Sequence, residues 1–90
     1  MDHIVSYIRP FVIQQQIAVY RDGQCIHQAA CPLSMLEEKI IELSDKFNIN
    51  EVDLAGDVVN GERIKKDINN PTKYGLKKKL HVNVRSPKEN

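Results

Sequence analysis

Hydrophobic and polar residues alternate from the first turn of the chain. Over His3–Arg9, one parity holds Ile4, Ser6 and Ile8 and the other holds Val5, Tyr7 and Arg9. A period of two predicts a strand, and Pro10 interrupts it. The alternation resumes over Val12–Arg21, where Ile13, Ile17 and Val19 share a parity with Gln15. Val12, Ala18 and Tyr20 share the other with Gln14 and Gln16, so both faces of this second strand are partly apolar. Asp22 and Gly23 tolerate the positive φ of a tight hairpin turn and predict a third strand, Gln24–Ala30. Strict alternation along it puts Cys25 and His27 on one face.

The period changes after Cys31 and Pro32. Leu36, Ile40, Leu43 and Phe47 recur at four, three and four residues, which predicts a helix over about 33–47. Glu38, Glu42, Asp45 and Lys46 fall mostly outside its apolar stripe. Pro32 suits the helix start, and Ser34 and Glu37 have the spacing of a capping box. Asn48 and Asn50 mark its end. Val52–Ala55 is a short apolar run, predicting a buried strand that stops at Gly56. Asp57 or Asn60 caps a second helix reaching about Asn69, buried through Ile64 and Ile68, with Pro71 beyond its end. Residues 72–79 read as a loop or a further helical turn. Leu80, Val82 and Val84 then alternate with His81, Asn83 and Arg85 as a last strand, and residues 86–90 are expected to fray.

The resulting order, βββαβαβ, places the chain in the α/β class as a mixed α+β domain. An N-terminal antiparallel meander continues into helix-linked strands, with helices covering the faces of the sheet. One domain over residues 1–85 is expected, because 90 residues at 41% hydrophobic and 28% charged suffice for a single core. The order resembles the ribonuclease H-like superfamily, including the half-domains of actin-like and sugar-kinase-like proteins, over about residues 3–85. A ferredoxin-like or other small α+β sheet is the alternative.

That resemblance implies two divalent metals held by carboxylates from the first strand, the first helix and the fourth strand. The centre of the first strand, Ile4–Ile8, contains no acid, and Asp2 precedes it. Glu38 and either Asp53 or Asp57 match the other two positions. The resemblance therefore points to a catalytically silent member that keeps the scaffold for binding. No catalytic residue, metal or cofactor is assigned.

Charge separates along the chain although the net is only +1. Between residues 63 and 88, nine cations face Asp67 alone, a local net of +8 that leaves −7 for the remainder. Such a field attracts phosphate or an acidic partner. The candidate contact residues are Arg63, Lys65, Lys66, Lys73, Tyr74, Lys77, Lys78, Lys79 and Arg85, with Tyr74 the one aromatic set among lysines in the manner of a base-stacking ring.

Three further constellations add little. Gly56 and Gly61 reproduce the glycine spacing of a phosphate-binding P-loop, but Glu62 and Arg63 stand where Lys and Ser or Thr are required. Cys25, His27 and Cys31 lack a fourth ligand for structural zinc and an orienting carboxylate for nucleophilic catalysis. Gln14, Gln15 and Gln16 put amides on both faces of a strand, which suggests an edge that pairs with a second copy and hence a homodimer.

No apolar run approaches the roughly 20 residues that span a bilayer, and the first residues lack the order of a secretory leader. A cytoplasmic protein with two free thiols and no membrane partner is expected. Asn, Ile and Lys together supply 26 of 90 residues, a usage that resembles AT-rich bacterial or phage genomes and implies a phage or mobile-element accessory protein. The leading functional expectation is a non-enzymatic binding module for nucleic acid or an acidic protein surface. A homo-oligomeric assembly subunit is the second, and a metal-dependent nuclease built on Glu38, Asp53 and Asp57 the third.

Overall fold

The computed structural model describes residues 2–75 and 79–86. Five strands, β1 (His3–Ile8), β2 (Gln14–Arg21), β3 (Gln24–Pro32), β4 (Glu51–Gly56) and β5 (His81–Arg85), form one mixed sheet in the order β3-β2-β1-β4-β5. β2 runs antiparallel to β1 and β3, whereas β1, β4 and β5 pair in parallel. A 3₁₀ turn over Leu33–Met35 leads into α1 (Leu36–Phe47), and α2 (Val58–Ile68) and the short α3 (Pro71–Tyr74) lie between β4 and β5. Among the described residues no helix is long and apolar enough to cross a membrane.

The buried apolar side chains of the described residues form one cluster. Ile4, Ile8, Ile17, Val19, Val52 and Leu54 from the sheet meet Leu36, Ile40 and Leu43 of α1 and Ile64 and Ile68 of α2. Complete burial of side chains this size is worth about 1.5–3 kcal/mol each before the entropy of ordering them. The opposite parity, including Tyr7 and Asn83, stays exposed, and Val5, Ala18, Tyr20 and Asp53 are only partly covered. The helices therefore cover one face of the sheet and not both. α1 and α2 each have a single apolar stripe, and the two stripes pack on the same face of the sheet, that of α1 over β1 and β3 and that of α2 over β4 and β5.

Local chemistry sets the connections. Asp22 and Gly23 adopt φ of 53° and 80°, closing the β2–β3 hairpin as their identities predict. Asn48 caps the end of α1 in the left-handed region, φ 56°. Gly56 has φ 98°, and a Cβ there would lie 2.3 Å from the Ile8 carbonyl oxygen. That same oxygen accepts from the Asp57 N–H at 3.0 Å, so the chain leaves β4 tight against β1. A Cβ on Gly61 would lie 2.7 Å from Val84 Cγ1, so the absence of a side chain seats α2 on β5. The P-loop-like glycine spacing thus has two separate steric causes.

Three local expectations are corrected. Ser34 lies within the 3₁₀ turn, and α1 begins after Met35 with no side-chain cap, so the Ser34–Glu37 capping box does not form. The glutamines are not on an edge: β2 lies between β3 and β1, and the edges are β3 and β5. Gln15 is 1% exposed and spends its amide on the β1–β2 loop. Finally, the β2–β3 register shifts near Val19 and Tyr20, pairing Tyr20 with Cys25 and Val19 with His27. Such a bulge changes the phase of alternation, so Cys25 and His27 lie opposite residues of different faces. His27 packs on Phe47 of α1 at 5.3 Å between ring centroids, and Cys25 is exposed.

Candidate functional site

The basic stretch divides between residues that engage Glu37 and residues that do not. On the flank facing α1, the buried Glu37 gathers three of the candidate contact residues. Arg63 Nη1 donates to Glu37 Oε2 at 2.8 Å, Lys73 Nζ lies 3.1 Å from Oε1, and the Tyr74 hydroxyl donates to Oε1 at 2.5 Å. Asp67 joins them, 3.3 Å from Lys73 Nζ and 3.7 Å from Arg63 Nη1. Desolvation, followed by the bond to Glu37, pushes the Tyr74 phenol up to about 12. The Glu37 hydrogen bond likewise raises the Lys73 ammonium. Arg63, Lys73 and Tyr74 thus neutralise and cover a carboxylate that 5% exposure would otherwise leave poorly solvated.

The geometry holding α3 in place is equally specific. Asn70 caps it through the Thr72 N–H at 3.0 Å. Asn69 clamps the backbone of Leu80 from both sides, donating to its carbonyl at 2.8 Å and accepting from its N–H at 2.9 Å. The chain returning to β5 is therefore fixed at both ends of the 71–80 segment. Lys77 and Lys78 lie outside the described residues.

Away from Glu37, Lys65, Lys66 and Lys79 are exposed, and none forms an ion pair among the described residues. Lys65 and Arg85 line a shallow depression at the β5 edge with Asp53, Asn83 and Val84. Arg85 lies 3.7 Å from the Asp53 carboxylate. Asp53 anchors a polar row across the uncovered face: His3 Nδ1 is 2.7 Å from Oδ2, and Asn83 Nδ2 donates to Oδ1 at 3.2 Å. His3 also meets Tyr20 edge-on at 5.4 Å. Sequence reasoning missed this row. Its clue was the outward parity of polar residues on β1, β4 and β5, which becomes informative only once those strands are known to be adjacent.

The carboxylates that the ribonuclease H-like resemblance brings forward stand apart. Glu38 is exposed on α1, Asp53 belongs to the polar row, and Asp57 caps α2 by accepting from the Asn60 N–H at 3.1 Å. The Asn60 N–H, and then its side-chain amide, hold the Asp57 carboxyl below the usual range. At the centre of β1, the Ser6 hydroxyl donates to the Gln16 carbonyl at 2.8 Å. Among the described residues no three His, Cys, Asp or Glu side chains converge as metal ligands do. Both thiols are free, and burial pushes the Cys31 thiol up.

Comparison of the chain with protein-family models, with curated proteins and with solved structures finds no match in any of the three. The geometry of the site therefore carries the functional argument.

Proposed function

We propose that this domain is a non-enzymatic binding module with a ribonuclease H-like sheet, which contacts the phosphate backbone of nucleic acid through the α2–β5 flank. The strand order β3-β2-β1-β4-β5, with β2 antiparallel to its neighbours, supports the architectural part of that reading. The observation that carries the functional part is the set of exposed lysines, Lys65, Lys66 and Lys79, that lack carboxylate partners among the described residues while Arg63 and Lys73 are engaged at Glu37. Arg85 extends the same flank along β5. A binding role in place of hydrolysis is supported by the separation of Glu38, Asp53 and Asp57 and by the use of Asp57 as a helix cap.

Lysine ammonium groups act on phosphates as point charges, so binding is expected to be weakly sequence-selective and strongly salt-dependent. Fluorescence anisotropy with labelled single-stranded and duplex DNA and RNA, from low to physiological salt, tests this directly. The expected result is a log-linear fall in affinity with salt. Replacing Lys65, Lys66 and Lys79 by Glu should abolish binding, and replacing them by Gln should lower the duplex slope by about 0.9 per lysine that contacts phosphate. Absence of binding at low salt, or affinity unchanged by charge reversal, would overturn the proposal.

A further inference from the structure

Apart from Tyr7 on the open face and Ile26 near the β2–β3 hairpin, the large exposed apolar side chains of the described residues gather at one end of the sheet. Phe11 is 98% exposed and Ile13 83%, both in the β1–β2 loop with Val12. Met35 projects from the 3₁₀ turn after β3, and Val58 and Val59, the latter 81% exposed, open α2. The topology brings these three connections together. Gln14 pairs with Pro32, which sets the loop beside the β3–α1 junction, and the Asp57 N–H bonds to Ile8, which sets it beside the β4–α2 junction. At these exposures the six side chains present on the order of 700 Å² of surface, more than the largest patch of a typical monomer and close to the roughly 800 Å² each partner gives a standard interface.

The loop is also held in shape before anything binds. Gln15 Oε1 accepts from the Arg9 N–H at 2.8 Å, and its Nε2 donates to the carbonyls of Arg9 at 2.8 Å and Val12 at 3.1 Å. A buried side chain thus replaces the backbone partners the loop lacks, and little conformational entropy is left to lose on docking.

The rim identifies the occupant. Arg9 lies over the Tyr7 ring and forms no ion pair among the described residues, and neither does Glu38, beside Met35 and Pro32. An apolar centre flanked by an unpaired cation, Arg9, on one side and by an anion, Glu38, on the other can set unlike charges against each other about a two-fold axis. An anionic lipid surface would instead meet Glu38, Glu62 and Asp57 with repulsion. We propose that this end of the sheet docks on the same end of a second copy of the chain, with Arg9 of each copy facing Glu38 of the other.

Sedimentation equilibrium of the purified chain, without nucleic acid, across the low to high micromolar range tests the proposal. The expected result is a reversible monomer–dimer equilibrium, with the dissociation constant raised at least about 10-fold by Phe11→Asp or Ile13→Asp. Circular dichroism should report unchanged folding, since both residues are solvent-exposed. Arg9→Glu and Glu38→Arg should each weaken the dimer, and their combination should restore it. A wild-type chain that stays monomeric throughout would overturn the proposal, and co-sedimentation of that monomer with phosphatidylcholine–phosphatidylserine vesicles would assign the surface to lipid. A dimer that survives the paired Phe11→Asp and Ile13→Asp changes would overturn it equally.

Discussion

Ser44 occupies the buried face of α1 with no hydrogen-bond partner for its hydroxyl among the described residues. An orphaned buried hydroxyl costs about 1–3 kcal/mol, and Ala is the better helix former. Ser44→Ala should therefore stabilise the domain by about 1 kcal/mol, read as a higher urea midpoint at unchanged m-value. Gly61 makes the opposite case. Gly→Ala inside a helix normally gains up to about 1 kcal/mol, but here the new Cβ meets Val84, and overpacking costs about 1–3 kcal/mol. Gly61→Ala should destabilise, and Val84→Ala in the same chain should recover part of the loss; additive effects of the two changes would show that the contact does not operate. Neither residue could be assigned from sequence. A serine at the border of an apolar stripe does not announce its burial, and a glycine five residues after another reads as a loop motif, until a second element is seen pressing on it. The Asp22–Gly23 turn, by contrast, was legible because positive φ is a property of the residue itself.

At the scale of elements, α1, α2 and α3 are joined through Glu37. Glu37→Ala strands Arg63 and Lys73 beside Asp67 alone and should cost on the order of 2 kcal/mol. Alkaline pH attacks the same junction. Tyr74 has an ordinary phenol value of 10.0 and is raised to about 12 in the folded chain, so the folded state holds this proton more tightly. Its contribution is complete below pH 10 and is lost as pH rises through about 12. The raised Lys73 acts in the same direction. The urea midpoint of wild type should drop across that window, and Tyr74→Phe should show a smaller drop from a lower starting stability. An identical drop in both chains would remove Tyr74 from the linkage. Strand and helix positions were legible from period alone, because a half-buried strand and a one-faced helix impose periods of two and about 3.6. The capping box failed because Glu37 has more to gain from two cations and a phenol than from one backbone N–H. The face assignment in β3 failed because one bulge resets the phase, and no single residue announces it.

Over the whole molecule, the central position of β1 and β4 has a measurable counterpart. β1 is flanked by β2 and β4, and β4 by β1 and β5, whereas β3 and β5 each have one open edge. Amide hydrogen exchange should be slowest in β1 and β4 and fastest at the free edges of β3 and β5. Faster exchange in β1 than in β3 would contradict this sheet order. The class of the domain followed from the succession of elements, but the bare face did not, since periodicity shows that a helix has one apolar side without showing which side of a sheet receives it. The bulge in β3 has one more consequence, for reagents. Cys25 faces solvent while Cys31 is buried with a raised thiol, and six residues of strand, about 20 Å, separate them, beyond the roughly 7 Å that a disulfide spans. An alkylating probe should thus attach once to each native chain and twice after denaturation. Oxidation, for the same reason, can join two chains through Cys25 but cannot staple one, so the strand carries a single covalent handle that its neighbours in the fold keep monofunctional.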